Sequence, residues 1–164
     1  MTAMKSSSSY LSIAGGVAVA AFALDQATKA LAAANAEILA SGLAVAPGFN
    51  LTFHRNTGVS FGLLDDVPSF ALVALALAII AWLAVRAFRA ERLGDAIGYG
   101  LILGGAIGNV TDRLRFGGVT DFLDLYVGGA HWPAFNLADT AIFCGLVMLL
   151  LWSYHPVRRQ SDAT

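Results

Sequence analysis

Apolar residues fill long, nearly uninterrupted stretches of this chain, and polar residues collect at the ends of those stretches. The first run extends from about Tyr10 to Ala34 and carries no charge before Asp25. The second, Ser69 to Phe88, carries none before Arg86. The third is the shortest in strictly apolar residues, from about Ala96 to Val110, and the fourth, from about Phe135 to Tyr154, has Asp139 as its only charge. A helix needs roughly 20 residues to cross a bilayer. With their flanks, the runs predict four spans at about 10–34, 69–88, 93–113 and 135–154, in one domain covering residues 1–164.

The third run is rich in glycine. Gly100, Gly104 and Gly108 recur at four-residue spacing, which in lipid makes a flat face for close helix packing. Between the runs the pattern changes period. Phe49, Leu51 and Phe53 alternate with Asn50, Thr52 and His54, the signature of a strand. Asn56-Thr57-Gly58 reads as a turn, and Val59–Leu64 as a second strand or a short interfacial helix. Two glycine pairs, Gly117-Gly118 and Gly128-Gly129, bracket another strand candidate, Val119 to Val127. The fold class expected is a membrane all-α bundle of four transmembrane helices with a small extracytoplasmic β-sheet.

Composition agrees. Of 164 residues, 57% are hydrophobic and 13% charged, against about 25% charged in a soluble domain. The net charge of −1 says little about partners, and no nucleic acid is expected among them. Cys144 is the only cysteine, and His54, His131 and His155 show no ligand spacing, so neither a metal nor another cofactor is expected. The placement of positive charge says more. Lys5, Arg86, Arg89, Arg92, Arg158 and Arg159 fall on one side of four spans, which puts both termini in the cytoplasm. Segments 35–68 and 114–134 then lie outside, with Lys29, Arg55, Arg113 and Arg115 against the trend. Lys5 and the first run also fit a cleaved signal peptide; cleavage would discard Asp25 and Lys29.

On the outer side the polar residues gather at one depth: Asp25, Gln26 and Lys29; Asn56; Asn109, Asp112 and Arg113; Asp121 and Asp124; Asn136 and Asp139. A carboxylate in a membrane helix costs about 2.5–3.5 kcal/mol on insertion scales, so such acids are functional candidates. Asp25 and Lys29 are four apart and pair on one helix face, a structural role. Asn109 and Arg113 share a face in the same way, and Arg113 is expected to hold a carboxylate or a lipid phosphate by bidentate hydrogen bonds. Asp124 suits a solvated strand position. Asp139 sits near a helix start, where the macrodipole alone favours an acid, but that leaves the rest of the cluster unexplained. Asp121, 18 residues earlier, is close enough for a strand and return loop to bring the two carboxyls together. Two carboxylates in a dry site share a proton. The charged one takes a proton from water and the protonated one donates to the substrate. This is amide hydrolysis without metal or covalent intermediate, and it leaves the substrate open.

Five segments in order resemble the signatures of the lipoprotein signal peptidases (signal peptidase II). They are Asp25-Gln26-Ala27-Thr28-Lys29; Asn50-Leu51-Thr52 with Asn56-Thr57-Gly58 and Phe61; Gly104 to Arg113; Val119-Thr120-Asp121-Phe122; and Phe135-Asn136-Leu137-Ala138-Asp139. The resemblance implies a multi-pass aspartyl peptidase of the bacterial inner membrane, active near its outer face. Its substrates would be prolipoproteins carrying a diacylglyceryl-cysteine, cleaved just before that cysteine. Asp121 and Asp139 match the catalytic pair. Asn56, Asn109, Arg113 and Asn136 match residues lining the site, and Asp25 and Lys29 match a supporting pair. Membrane lipid and the cyclic peptide inhibitors of the family are the other implied partners, and a monomer is expected. Two rivals are distinguishable. A Ser60/Lys29 dyad would require Lys29 to act as a base, although Asp25 beside it would hold it charged. A transporter would require polar residues along a whole path, whereas here the acids lie on one side.

Overall fold

The apolar runs fold as long helices, joined on one side by a small sheet. The computed structural model describes residues 7–58 and 69–154. Along the chain come α1 (Ser7–Ala34), α2 (Ala36–Leu39), β1 (Leu43–Ala46), β2 (Phe49–Asn56), α3 (Ser69–Phe88), α4 (Leu93–Phe116), β3 (Val119–Val127), β4 (Ala130–His131) and α5 (Leu137–Ser153). The element expected at Val59–Leu64, together with Lys5, Ser60, Phe61, His155, Arg158 and Arg159, lies outside the described residues.

Three helices, α1, α3 and α4, are long and apolar enough to cross a membrane. The expected fourth span is apolar but shorter, at 17 residues. At about 1.5 Å per residue it reaches about 26 Å, less than the roughly 30 Å of a hydrocarbon core. It begins at Leu137 because Asn136 caps it: the Asn136 side chain accepts from the Asp139 backbone N–H, and the Asp139 carboxylate accepts from the Asn136 N–H.

The helices turn their large apolar side chains outward. Leu24, Phe70, Trp82 and Phe143 are each more than 60% exposed, while the largest fully buried side chains are Asn136, Asp25 and Asp112. In water that distribution would be unstable; in lipid it is the expected one.

Helix α4 sits between α1 and α5, and its glycines let both approach. A methyl group added at Gly100 would lie 2.6 Å from the Ala14 carbonyl oxygen, one at Gly104 would strike the Ala18 carbonyl, and one at Gly108 the Asp25 carboxylate. This is the glycine face read from the sequence. A second face points at α5: Gly98 lies against Leu149 and the Gly145 carbonyl, and Gly105 against the Ala138 carbonyl.

The sheet is antiparallel in the order β1-β2-β3-β4. Its central pair, β2 and β3, are the two strands expected from the sequence, and they align His54 with Asp121 and Asn56 with Val119. The outer pieces β1 and β4, and the one-turn α2, were not anticipated. Two hairpins turn on glycines with positive φ, Gly48 (82°) and Gly128 (60°). After β4 the chain runs back beside β3. Leu123 donates to the Phe135 carbonyl at 2.8 Å and Phe135 donates to the Leu123 carbonyl at 3.0 Å. That return sets the start of α5 next to Asp121.

Candidate active site

Five elements converge here: the C-terminal parts of α1 and α4, the end of β2, the beginning of β3, and the first turn of α5. Asp121 enters from β3 and is 2% exposed. One of its carboxylate oxygens accepts from the Asn136 amide at 2.7 Å, and the other from the Asn56 amide at 3.1 Å. Asp139 enters from α5 and is half-buried. It accepts from the Asn109 amide at 2.9 Å and from the Asn136 backbone N–H at 3.3 Å. Asn109 and Asn136 also bond each other, at 3.4 Å. Two amide side chains thus tie the two carboxylates into one network.

Burial pushes the Asp121 carboxyl up to about 6 from 3.8. The Asn56 amide opposes the rise, the negative charge of Asp139 adds to it, and the Asn136 amide and Lys29 charge oppose it. The Asp139 contribution places the two acids within electrostatic reach of each other.

Behind the acids lies a buried ionic cluster. The Lys29 ammonium stands 2.9 Å from Asp25 and 3.7 Å from Asp112, and donates to the Asn109 side-chain oxygen at 2.8 Å. Asp25 and Lys29 thus pair along one helix face, as their four-residue spacing implied. Asp25 also accepts the Ala138 N–H at 2.9 Å, and Asp112 accepts the Thr120 N–H at 2.9 Å and the Gln26 amide at 3.1 Å. With these partners Lys29 is not an unengaged amine base, which disfavours the Ser/Lys dyad.

Arg113 lies on α4, four residues past Asn109. Among the described residues it grips no carboxylate bidentately. It donates to the backbone carbonyls of Gly58 at 3.2 Å and Asn109 at 3.5 Å, and its buried Nε has no partner. Helix geometry explains this: from one turn above Asn109, the side chain reaches back over its own helix toward the Asn56–Gly58 bend. That bend is itself held by the Gly58 N–H on the Asn56 side-chain oxygen at 3.1 Å. Asp124 lies outside the network, as expected. It accepts from Asn50 at 3.1 Å and faces the His131 ring at 2.9 Å. Although burial raises its carboxyl, hydrogen bonds from His131 and then Asn50 hold it below the ordinary carboxylate range.

The residues that sequence reasoning undervalued are Gln26 and Thr120. Gln26 bridges Asp25 and Asp112 at 3.1 Å each. Its position inside the first signature was the available signal. Thr120 acts through its backbone, which no side-chain pattern reveals.

An apolar groove of about 560 Å³ opens beside Asp139, lined by Trp132, Phe135, Ile142, Phe143 and Leu146. A second, of about 390 Å³, lies between α1, α2 and the sheet, with Phe122, the neighbour of Asp121, in its wall.

Fold and site together define a helical membrane protein with a linked carboxylate pair, one acid buried and the other half-buried, and apolar access to it. A family model described as signal peptidase (SPase) II matches residues 17–155, and the chain belongs to that family. It is 42% identical to a lipoprotein signal peptidase of Solibacter usitatus, over 91% of this chain and 94% of that protein. With a lipoprotein signal peptidase of Aeromonas hydrophila the identity is 41%, over 88% and 89%. A solved structure described as a bacterial membrane enzyme, at 1.9 Å resolution, superposes with a TM-score of 0.74 at 27% identity, over 90% of this chain and 92% of that one. Another, at 2.3 Å, gives 0.72 at 26% identity, over 90% and 91%.

Proposed function

We propose that this chain is an aspartic endopeptidase of the bacterial inner membrane that removes signal peptides from prolipoproteins, with Asp121 and Asp139 as its catalytic pair. The relatives' name, lipoprotein signal peptidase, supplies the substrate class. The observation that carries the chemistry is the Asn109–Asn136 bridge, which holds two acids from different elements in one buried network.

With one proton between them, the ionised carboxylate removes a proton from water as that water attacks the scissile carbonyl. The protonated carboxyl then delivers its proton to the leaving amide nitrogen, and the pair ends with one proton again. The pair titrates as a unit. The scissile bond is the one before the lipid-modified cysteine. The groove beside Asp139 takes an apolar part of the substrate, and Asn56 and Arg113 orient its backbone or head group. The site faces the outer side of the membrane, and both termini face the cytoplasm.

The test is cleavage of a diacylglyceryl-modified prolipoprotein by purified enzyme. Asp121→Asn and Asp139→Asn should each lower kcat by at least about 1000-fold, the upper part of the general acid–base range, while both variants stay folded. A fully active Asp139→Asn enzyme would sink the assignment. In the Ser/Lys alternative, serine-directed inactivation would map to Ser60.

A further inference from the structure

At the end of the bundle opposite the acids, a second polar pocket lies where α3, α4 and α5 meet. It has a volume of about 330 Å³ and is lined by Arg86, Arg89 and Arg92 together with Glu91, Asp95 and Tyr99, with Leu149 and Ser153 forming the α5 wall. The formal charge of its lining is three arginines less two acids, or +1. None of these residues belongs to the Asp121–Asp139 network.

The arginines are arranged differently. Arg92 donates to the Trp152 carbonyl at 2.9 Å and so holds the end of α5. Arg86 lies beside Tyr99, with Asp95 near. Arg89 is exposed. Among the described residues, neither Arg86 nor Arg89 forms a salt bridge.

The depth of the pocket is marked by its neighbours. Phe88, Trp152 and Tyr154 are exposed at the same helix ends, by 60%, 39% and 82%. Aromatic residues at helix ends mark the lipid–water interface. Just inside it, Val85, Leu150 and Leu151 present apolar surface outward, each at least 50% exposed. Arginines kept only to set orientation need nothing but water around them. Here they converge on a cleft between helices, at head-group depth, with lipid-facing apolar surface continuing from it. Basic pockets between membrane helices are recognised sites for anionic head groups, and guanidinium groups match phosphate geometry.

We propose that this pocket binds the phosphate of an anionic phospholipid head group, with Arg86 and Arg89 as its ligands and the acyl chains lying along α3 and α5. The site is independent of the peptidase reading.

Full-length protein reconstituted in nanodiscs of phosphatidylcholine and phosphatidylglycerol would be extracted in mild detergent, and the retained lipid measured by native mass spectrometry. Wild type should retain phosphatidylglycerol in preference to phosphatidylcholine. The double variant Arg86→Gln/Arg89→Gln, which leaves Arg92 in place, should lower that retention by roughly thirtyfold, the scale of two charges removed near an anionic surface. Its melting in pure phosphatidylcholine should match wild type, showing that the bundle is intact. Inorganic phosphate in excess should leave the bound lipid in place. Equal retention of the two lipids by wild type, or undiminished retention by the variant, overturns the proposal. Displacement by inorganic phosphate overturns the lipid assignment in favour of a soluble phosphate ligand.

Discussion

Asp121 is held almost wholly out of water, and the two amides that point at it do not make up for its lost hydration. Burial pushes its carboxyl up to about 6 in the folded protein, against 3.8 for an unhindered one. Between those values the native state keeps a proton that the unfolded chain has released, so stability falls as pH rises through this window. The cost is absent below 3.8 and complete above about 6. A shift of that size corresponds to about 3 kcal/mol. Asp121→Asn removes the charge but turns an amide donor toward one of two donors, Asn56 or Asn136, losing a hydrogen bond of about 1 kcal/mol. The inactive variant is therefore expected to be about 2 kcal/mol more stable than wild type at pH 8 and no more stable at pH 4. Thermal melts in detergent at the two pH values check this, and a variant equally destabilised at both would contradict it. The same titration shapes the rate: kcat/KM should decline on the alkaline side as the shared proton is lost.

At the level of elements, the central helix works because its glycines let neighbouring backbones touch. Gly105→Val would drive a side chain into the Ala138 carbonyl, immediately before Asp139. It is expected to cost about 1–3 kcal/mol and to lower activity by displacing the start of α5. Gly15→Ala, on α1 with nothing within 4 Å, should be neutral in both. Equal effects from the two substitutions, read by melting and by peptide cleavage, would remove glycine packing as the explanation. The Gly100, Gly104 and Gly108 face was legible because its spacing is regular. The α5-facing set of Gly98 and Gly105 was not, because two faces of one helix overlap in sequence. Similarly, β2 and β3 announced themselves by alternation and by bracketing glycines, whereas the four residues of β1, Leu43–Ala46, are all apolar and exposed and carry no period. Asp121 and Asp139 were individually legible as misplaced acids. Their joining through Asn136 was not, since it depends on Phe135 pairing back onto Leu123, a contact set by tertiary structure.

Across the whole molecule, one buried cation links most of the parts that matter. Lys29 on α1 reaches Asp112 and Asn109 on α4; Asp112 holds β3 at Thr120; Asp25 holds α5 at Ala138. Lys29→Met would leave two buried carboxylates, Asp25 and Asp112, facing each other without the charge that now lies between them. Breaking a buried pair in this way costs about 3–5 kcal/mol, so a sharply lower melting temperature is expected. The defect should also reach the catalytic pair by two routes. Asn109 loses the shorter of the two hydrogen bonds to its oxygen while its amide still bonds Asp139, and Asp121 loses a positive charge that holds its carboxyl down. The alkaline limb of the pH–rate profile should therefore move upward in whatever fraction stays folded, a change that loss of packing alone would not produce. Adding Asp25→Asn removes one of the unpaired charges while keeping an oxygen for the Ala138 N–H. The double variant Lys29→Met/Asp25→Asn should thus recover part of the lost stability without restoring the limb to its original position. If the second substitution instead lowered stability further by its full individual amount, the two residues would be acting independently, and the ionic cluster could not be what couples the bundle to its site.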